Sequence, residues 1–207
     1  MGRAVLISIQ PRWCELIASG KKTIEVRKTK PKLETPFKVY IYCTKGDSLN
    51  YLKRPFFDNY QKFWVDNKAF GSNVARANGK VIGEFVCDKI DEYRYGVYDN
   101  EFCYHIPTVE GEKTCLEYPK AEEYGNGKPL YFWHISDLVF YDKPRELSEF
   151  TTVCEGLKPY QCDKCEYSYT ENTESGSYAE CCCNNLKPLT RPPQSWCYVE
   201  ALKGGAE

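Results

Sequence analysis

Residues 8–28 read SIQPRWCELIASGKKTIEVRK, and the last nine, Gly20 to Lys28, decide how the rest is arranged. Pro11 suits the first turn of a helix, where its missing N–H costs nothing. Trp13, Leu16 and Ile17 recur at helical spacing, and Gly20 supplies the stop. From Thr23 to Arg27 the pattern changes to alternation. Ile24 and Val26 face the core, and Thr23, Glu25 and Arg27 share the opposite face. The same alternation puts Lys22 across from Glu25 and Arg27, so the three charges converge only if the chain is irregular between Gly20 and Thr23. Gly20 can supply that irregularity, because it tolerates left-handed backbone. An acid flanked by bases can bind phosphate and read a base edge. An ordinary Arg27–Glu25 surface pair fits the same spacing.

On either side of this stretch the chain reads as short strands. Arg3–Ile9 is branched and free of breakers, and Phe37–Cys43 follows a polar loop punctuated by proline. Lys80–Cys87 begins after an Asn78-Gly79 turn signal, with Gly83 as a candidate bulge. Leu130–Ile135 and Leu138–Tyr141 read as two strands, Pro144 as the opening of a short helix, and Trp196–Glu200 as a final strand. A helix is expected near Leu116–Tyr124, ending at Gly125. Short strands with few helices predict an α+β fold, a small mixed barrel closed by residues 196–200. No internal repeat or separating linker is visible, so residues 1–207 are expected to form one domain.

Composition narrows the function classes. The 207 residues carry 28 Lys+Arg against 29 Asp+Glu, with 42% hydrophobic and 15% aromatic content, which excludes a disordered chain. No apolar run reaches the roughly 18–20 residues that span a bilayer. The start has neither a secretory signal nor a myristoylation motif, so a chain beginning at Met1 in a reducing cytosol is expected. The net charge of −1 hides a split: residues 1–45 hold 10 basic and 3 acidic side chains, a balance of +7, and the remainder carries −8. Such a split suggests one face for an anionic partner, although a solvated Lys-rich loop has the same composition.

Six of the 12 cysteines fall between Cys154 and Cys183. In a chain without a secretory signal, that clustering points to a metal rather than to disulfides. Cys162-x-x-Cys165 lets a tight turn aim two thiolates at one ion. Cys181 and Cys183, spaced by one residue, complete a four-thiolate structural Zn2+ site, with Cys154 and Cys182 in reserve. The familiar hydrolase, metalloprotease and nucleotide-loop motifs are all missing, and the two histidines, His105 and His134, suggest no nucleophile–base pair. His134, between Trp133 and Ile135, reads as structural.

The opening SIQPRWCELIASGKKTIEVRK resembles that of the ASCH (activating-signal-cointegrator homology) domains, which are related to PUA-like barrels. The family signature G-x-K-x-x-E-x-R falls on Gly20, Lys22, Glu25 and Arg27. KVYIYCTK, NGKVIGEF, GKPLYFWHISDL and RPPQSWCYVE also resemble ASCH proteins of bacteriophages and prophages. The likeness covers residues 3–45, 79–90, 126–150 and 190–202. It implies a barrel with a cleft beside the signature, suited to RNA or a nucleotide in a bacterial host cytosol. Lys21, Lys22, Glu25 and Arg27 then become binding residues, and Trp13, Trp133 and Trp196 possible stacking faces.

One branch of that family resembles an amidohydrolase that deacetylates acetylcytidine, using a Lys of the signature and a Thr three residues on. Lys22 matches the Lys, but Glu25 stands where the Thr belongs, and a carboxylate does not replace a hydroxyl nucleophile. Lys22 and Glu25 remain the catalytic candidates, as groups able to activate water. The reading favoured from sequence is therefore an RNA- or nucleotide-binding protein with a zinc-stapled insertion at 151–189. A nucleoside hydrolase and an adaptor that grips a host protein are the competing classes.

Overall fold

The computed structural model describes residues 2–45, 79–153 and 187–202. Strand β1 (Arg3–Ile9) leads into helix α1 (Pro11–Ala18), followed by β2 (Ile24–Arg27) and β3 (Phe37–Cys43). A long β4 (Lys80–Tyr93) runs into a hairpin of β5 (Tyr95–Tyr98) and β6 (Glu101–Tyr104). Two short helices, α2 (Thr108–Thr114) and α3 (Tyr118–Gly125), precede a 16-residue β7 (Leu130–Arg145). A 3-10 turn (Leu147–Glu149) and β8 (Trp196–Glu200) complete the described elements.

Six strands form one sheet in the order β2-β7-β4-β3-β1-β8, antiparallel throughout except for the β1–β3 pair. β1 lies second from one end and is covered on both faces. Val5, Ile7 and Ile9 join the main core with Val39, Ile41, Phe85 and Trp133, while Ala4 and Leu6 pack with Tyr40, Val81 and Phe150 on the other side. This is why RAVLISI is nearly all apolar: a strand covered on both faces has no reason to alternate.

No closed barrel forms among the described residues, which corrects the expectation from sequence. Among the described residues β8 is an edge strand, with an isolated bridge between Thr152 and Val199 beyond it. The other edge is β2. The sheet curls enough for side chains to reach between its two ends. Arg27 Nη2 donates to the Ser8 carbonyl at 2.7 Å, Trp196 Nε1 to Thr29 Oγ1 at 2.9 Å, and the Lys32 amide to Tyr198 Oη at 2.7 Å. Because these links are not a continuous backbone ladder, the seam between β1 and β2 stays open enough for a cleft.

Two further expectations change. The two strands predicted at 130–141 are one strand, in which Asp137 takes a φ of 45° at a bulge. Pro144 lies inside that strand, which runs to Arg145, and the short helix expected over RELSEF is a single 3-10 turn at Leu147–Glu149. The predicted zinc ligands Cys162, Cys165, Cys181 and Cys183, and the reserves Cys154 and Cys182, lie outside the described residues.

Candidate functional site

The route from α1 into β2 builds the site. Ser19 caps α1 through its amide to the Glu15 carbonyl, and Gly20 follows at a φ of 72°. The Lys22 amide then donates back to the Leu16 carbonyl at 2.9 Å. This tight turn takes Lys22 out of strand alternation and delivers its amine to the side on which Glu25 and Arg27 point. Lys22 Nζ lies 3.4 Å from Glu25 Oε2, and Arg27 Nη2 lies 3.0 Å from Glu25 Oε1. One carboxylate thus holds two cations, and all three side chains are buried.

β2 carries its charges toward the main core. Glu25 is in register with Trp133, which belongs to that core, while Val26 pairs with Phe132 on the opposite face. Ile24 and Val26 are buried as alternation requires, but under α3, with Tyr104, Ala121 and Leu130. The polar face of the strand therefore looks inward across the seam. There a cleft of about 620 Å3 opens, lined by Trp13 of α1, Lys22, the Glu25–Arg27 face, Tyr124 of α3 and the Pro192–Ser195 segment.

Each charged group is held from several directions. Lys22 Nζ donates to the Thr114 carbonyl at 2.7 Å and lies 5.0 Å from the centre of the Trp13 ring. At 3% exposure Lys22 lies deep in the wall rather than at the mouth of the cleft. Burial pulls its amine below the ordinary lysine pKa, against the opposing pull of Glu25. Ser8 accepts the Arg27 guanidinium through its carbonyl, and its hydroxyl donates to the Pro193 carbonyl at 2.6 Å. Two polar atoms on this wall are buried without a hydrogen bond in the protein: Arg27 Nε, and Glu25 Oε2, whose contact with Lys22 is an ion pair.

The other predicted residues divide. Trp13 lines the cleft with its ring. Trp133 does not: it is fully buried, edge-on to Phe37 and beside Trp196, so its stacking role is replaced by a packing role. Lys21 is exposed on the turn outside the cleft lining. His134 is paired with Asp91 at 2.7 Å, as a structural histidine should be. Thr114, Tyr124 and the 192–195 segment were not anticipated as parts of the site. They arrive from distant parts of the chain and carry no local pattern. Exposed Arg12 and Lys28 stack over Trp13 and Tyr124 respectively, which puts two cations at the rim. Among the described residues no group of three or more His, Cys, Asp or Glu side chains could hold a metal ion, and no helix is long and apolar enough to cross a membrane.

A curled, mostly antiparallel sheet with an inward-facing charged cleft at its seam defines a small α+β domain built around one site. The chain belongs to the ASCH domain family, whose sequence pattern matches residues 7–124. Among solved structures, the chain is similar to an ASCH protein from Zymomonas mobilis at 19% identity, covering 70% of this chain and 73% of that one with a TM-score of 0.43. A tyrosine-to-phenylalanine variant of the same protein gives 18% identity, 70% and 76% coverage, and a TM-score of 0.42. No curated protein matches the chain.

Proposed function

We propose that the cleft binds one nucleotide, free or as part of an RNA strand. The observation that carries this reading lies on its wall: Arg27 Nε is a buried donor with no partner, beside a Glu25 carboxylate oxygen held only by the ion pair to Lys22. Buried polar groups are nearly always satisfied, so an unpartnered donor on the same wall as a carboxylate held only by ion pairs suits a ligand that offers both an acceptor and a donor. The edge of a nucleobase does so. The cleft volume falls in the ordinary range for small-ligand sites, and Trp13 and Tyr124 offer aromatic walls. Phosphates fall to the rim cations Arg12 and Lys28 rather than to buried Lys22.

The test is fluorescence anisotropy of a short single-stranded RNA across a salt series. Each phosphate contact contributes about 0.7 to the slope of log K against log salt. Arg12→Ala and Lys28→Ala should each flatten the slope by about that amount. Binding indifferent to salt and to both substitutions rejects the reading.

One observation favours a second reading, a hydrolase acting on a modified nucleoside such as acetylcytidine. Lys22 presents a buried amine with a lowered pKa, 3.4 Å from a carboxylate. Such a pair can take a proton from water. Release of acetate from acetylcytidine, lost in Lys22→Met, would establish it. A structural Zn2+ on Cys162, Cys165, Cys181 and Cys183 completes the proposal, supported by their C-x2-C and C-x-C spacings.

A further inference from the structure

A second cavity, of about 510 Å3, lies beyond Leu116, which lines both it and the cleft. Its walls include Ile106, Pro107, Tyr118 and Ala121, with Phe132 of β7 on the sheet side. Val26, in register with Phe132, lines the cleft, so this β2–β7 pair touches one cavity with each residue. The backbone at 114–116 forms the partition. Thr114 holds Lys22 through its carbonyl and lines the second cavity with its neighbour Cys115. The Cys115 thiol donates to the Lys21 carbonyl at 3.4 Å, which places the exposed Lys21 at the junction.

The chemistry of this cavity differs from that of the cleft. Its walls are largely apolar and aromatic, as suits a flat ring. Its charged lining residues are two carboxylates, Glu112 and Glu117, with no cation among them. A phosphate is therefore disfavoured inside, whereas an exocyclic amine finds an acceptor in Glu112, and a second in Glu117 beside its ion-pair partner Lys120.

We infer that this cavity is a second base subsite, which takes the neighbouring base of a dinucleotide whose first base occupies the cleft. It selects amine-bearing bases (adenine, cytosine or guanine) over uracil. The inference rests on the reading of the cleft as a nucleotide site.

Gly111 allows a clean test. A Cβ added there meets only Ile106 Cγ2, at 3.7 Å, which is ordinary contact, and the residue lines the cavity. Gly111→Phe should fill the subsite without touching the cleft. Isothermal titration with the common 5′-mononucleotides and with dinucleoside monophosphates gives the readout. In the wild type, dinucleosides carrying an amine-bearing second base should bind about tenfold or more tighter than the mononucleotide, the scale of one stacked base. Gly111→Phe should remove that advantage and leave mononucleotide affinity unchanged. Equal affinity of the two ligand classes, or an advantage that survives Gly111→Phe, overturns the second subsite and leaves the cleft reading standing. Failure of mononucleotides and dinucleosides alike overturns the cleft reading itself.

Discussion

Glu25 stands between Lys22 and Arg27, and its removal would strand two buried cations at once. Breaking a buried pair by deleting one partner costs about 3–5 kcal/mol, more than the intact pair contributes. Glu25→Ala should therefore lower stability by about 3 kcal/mol in urea titrations, the low end because the cleft admits water. Lys22 makes a separate, pH-dependent prediction. Its folded pKa lies below the ordinary 10.5, so in that window the unfolded chain binds more protons than the folded one. Stability then rises with pH from the lowered value up to 10.5. The stability difference between wild type and Lys22→Met should move in favour of wild type over that range and stay flat below it. The charged trio was legible in the sequence because Gly20 and strand alternation are local signals. The Thr114 carbonyl that anchors Lys22 was not, since a backbone acceptor 92 residues away leaves no trace in the pattern.

Legibility among the elements followed the same division. β1, β3 and β8 were read to the residue because apolar, branched runs bounded by polar turns leave little choice. The β5–β6 hairpin has a weak sequence signal because its turn is Asp99-Asn100, both at positive φ, without the glycine that usually marks such turns. The signal of α2 is weak because TVEGEKT has no apolar period. Gly83 was recognised as a candidate bulge, and the β4–β7 register does shift beside it. A Cβ there would collide with the Val139 carbonyl oxygen. Gly83→Ala should therefore destabilise by about 1–3 kcal/mol through forced backbone displacement, measured by thermal unfolding. The cysteine-rich segment has its own check. Cys162→Ser should lower zinc content and increase protease sensitivity at 151–189, because metal binding in small thiolate modules contributes on the order of 10 kcal/mol to folding. Zinc content unchanged by the substitution would remove Cys162 from the ligand set.

At the scale of the molecule, the seam matters more than the sheet. A closed barrel would join β2 to the opposite end of the sheet by a backbone ladder and shut the seam in which this cleft lies. Here Arg27, Trp196 and Tyr198 bridge the ends by side chains instead, and Arg27 also faces the cleft. Ending the chain at Leu189 would delete β8 and the Pro192–Ser195 wall together. It should abolish cooperative unfolding, since β1 would lose its antiparallel partner and the main core would lose Tyr198. The central claim is that a nucleotide sits in this seam. Ultraviolet cross-linking of the intact protein to a short single-stranded RNA, followed by mass spectrometry of the adducts, tests it most directly. Adducts on peptides carrying Trp13, Tyr124 or residues 192–195, reduced in Glu25→Gln, are the predicted result. Adducts confined to other surfaces, or none at RNA concentrations that saturate binding, would contradict it.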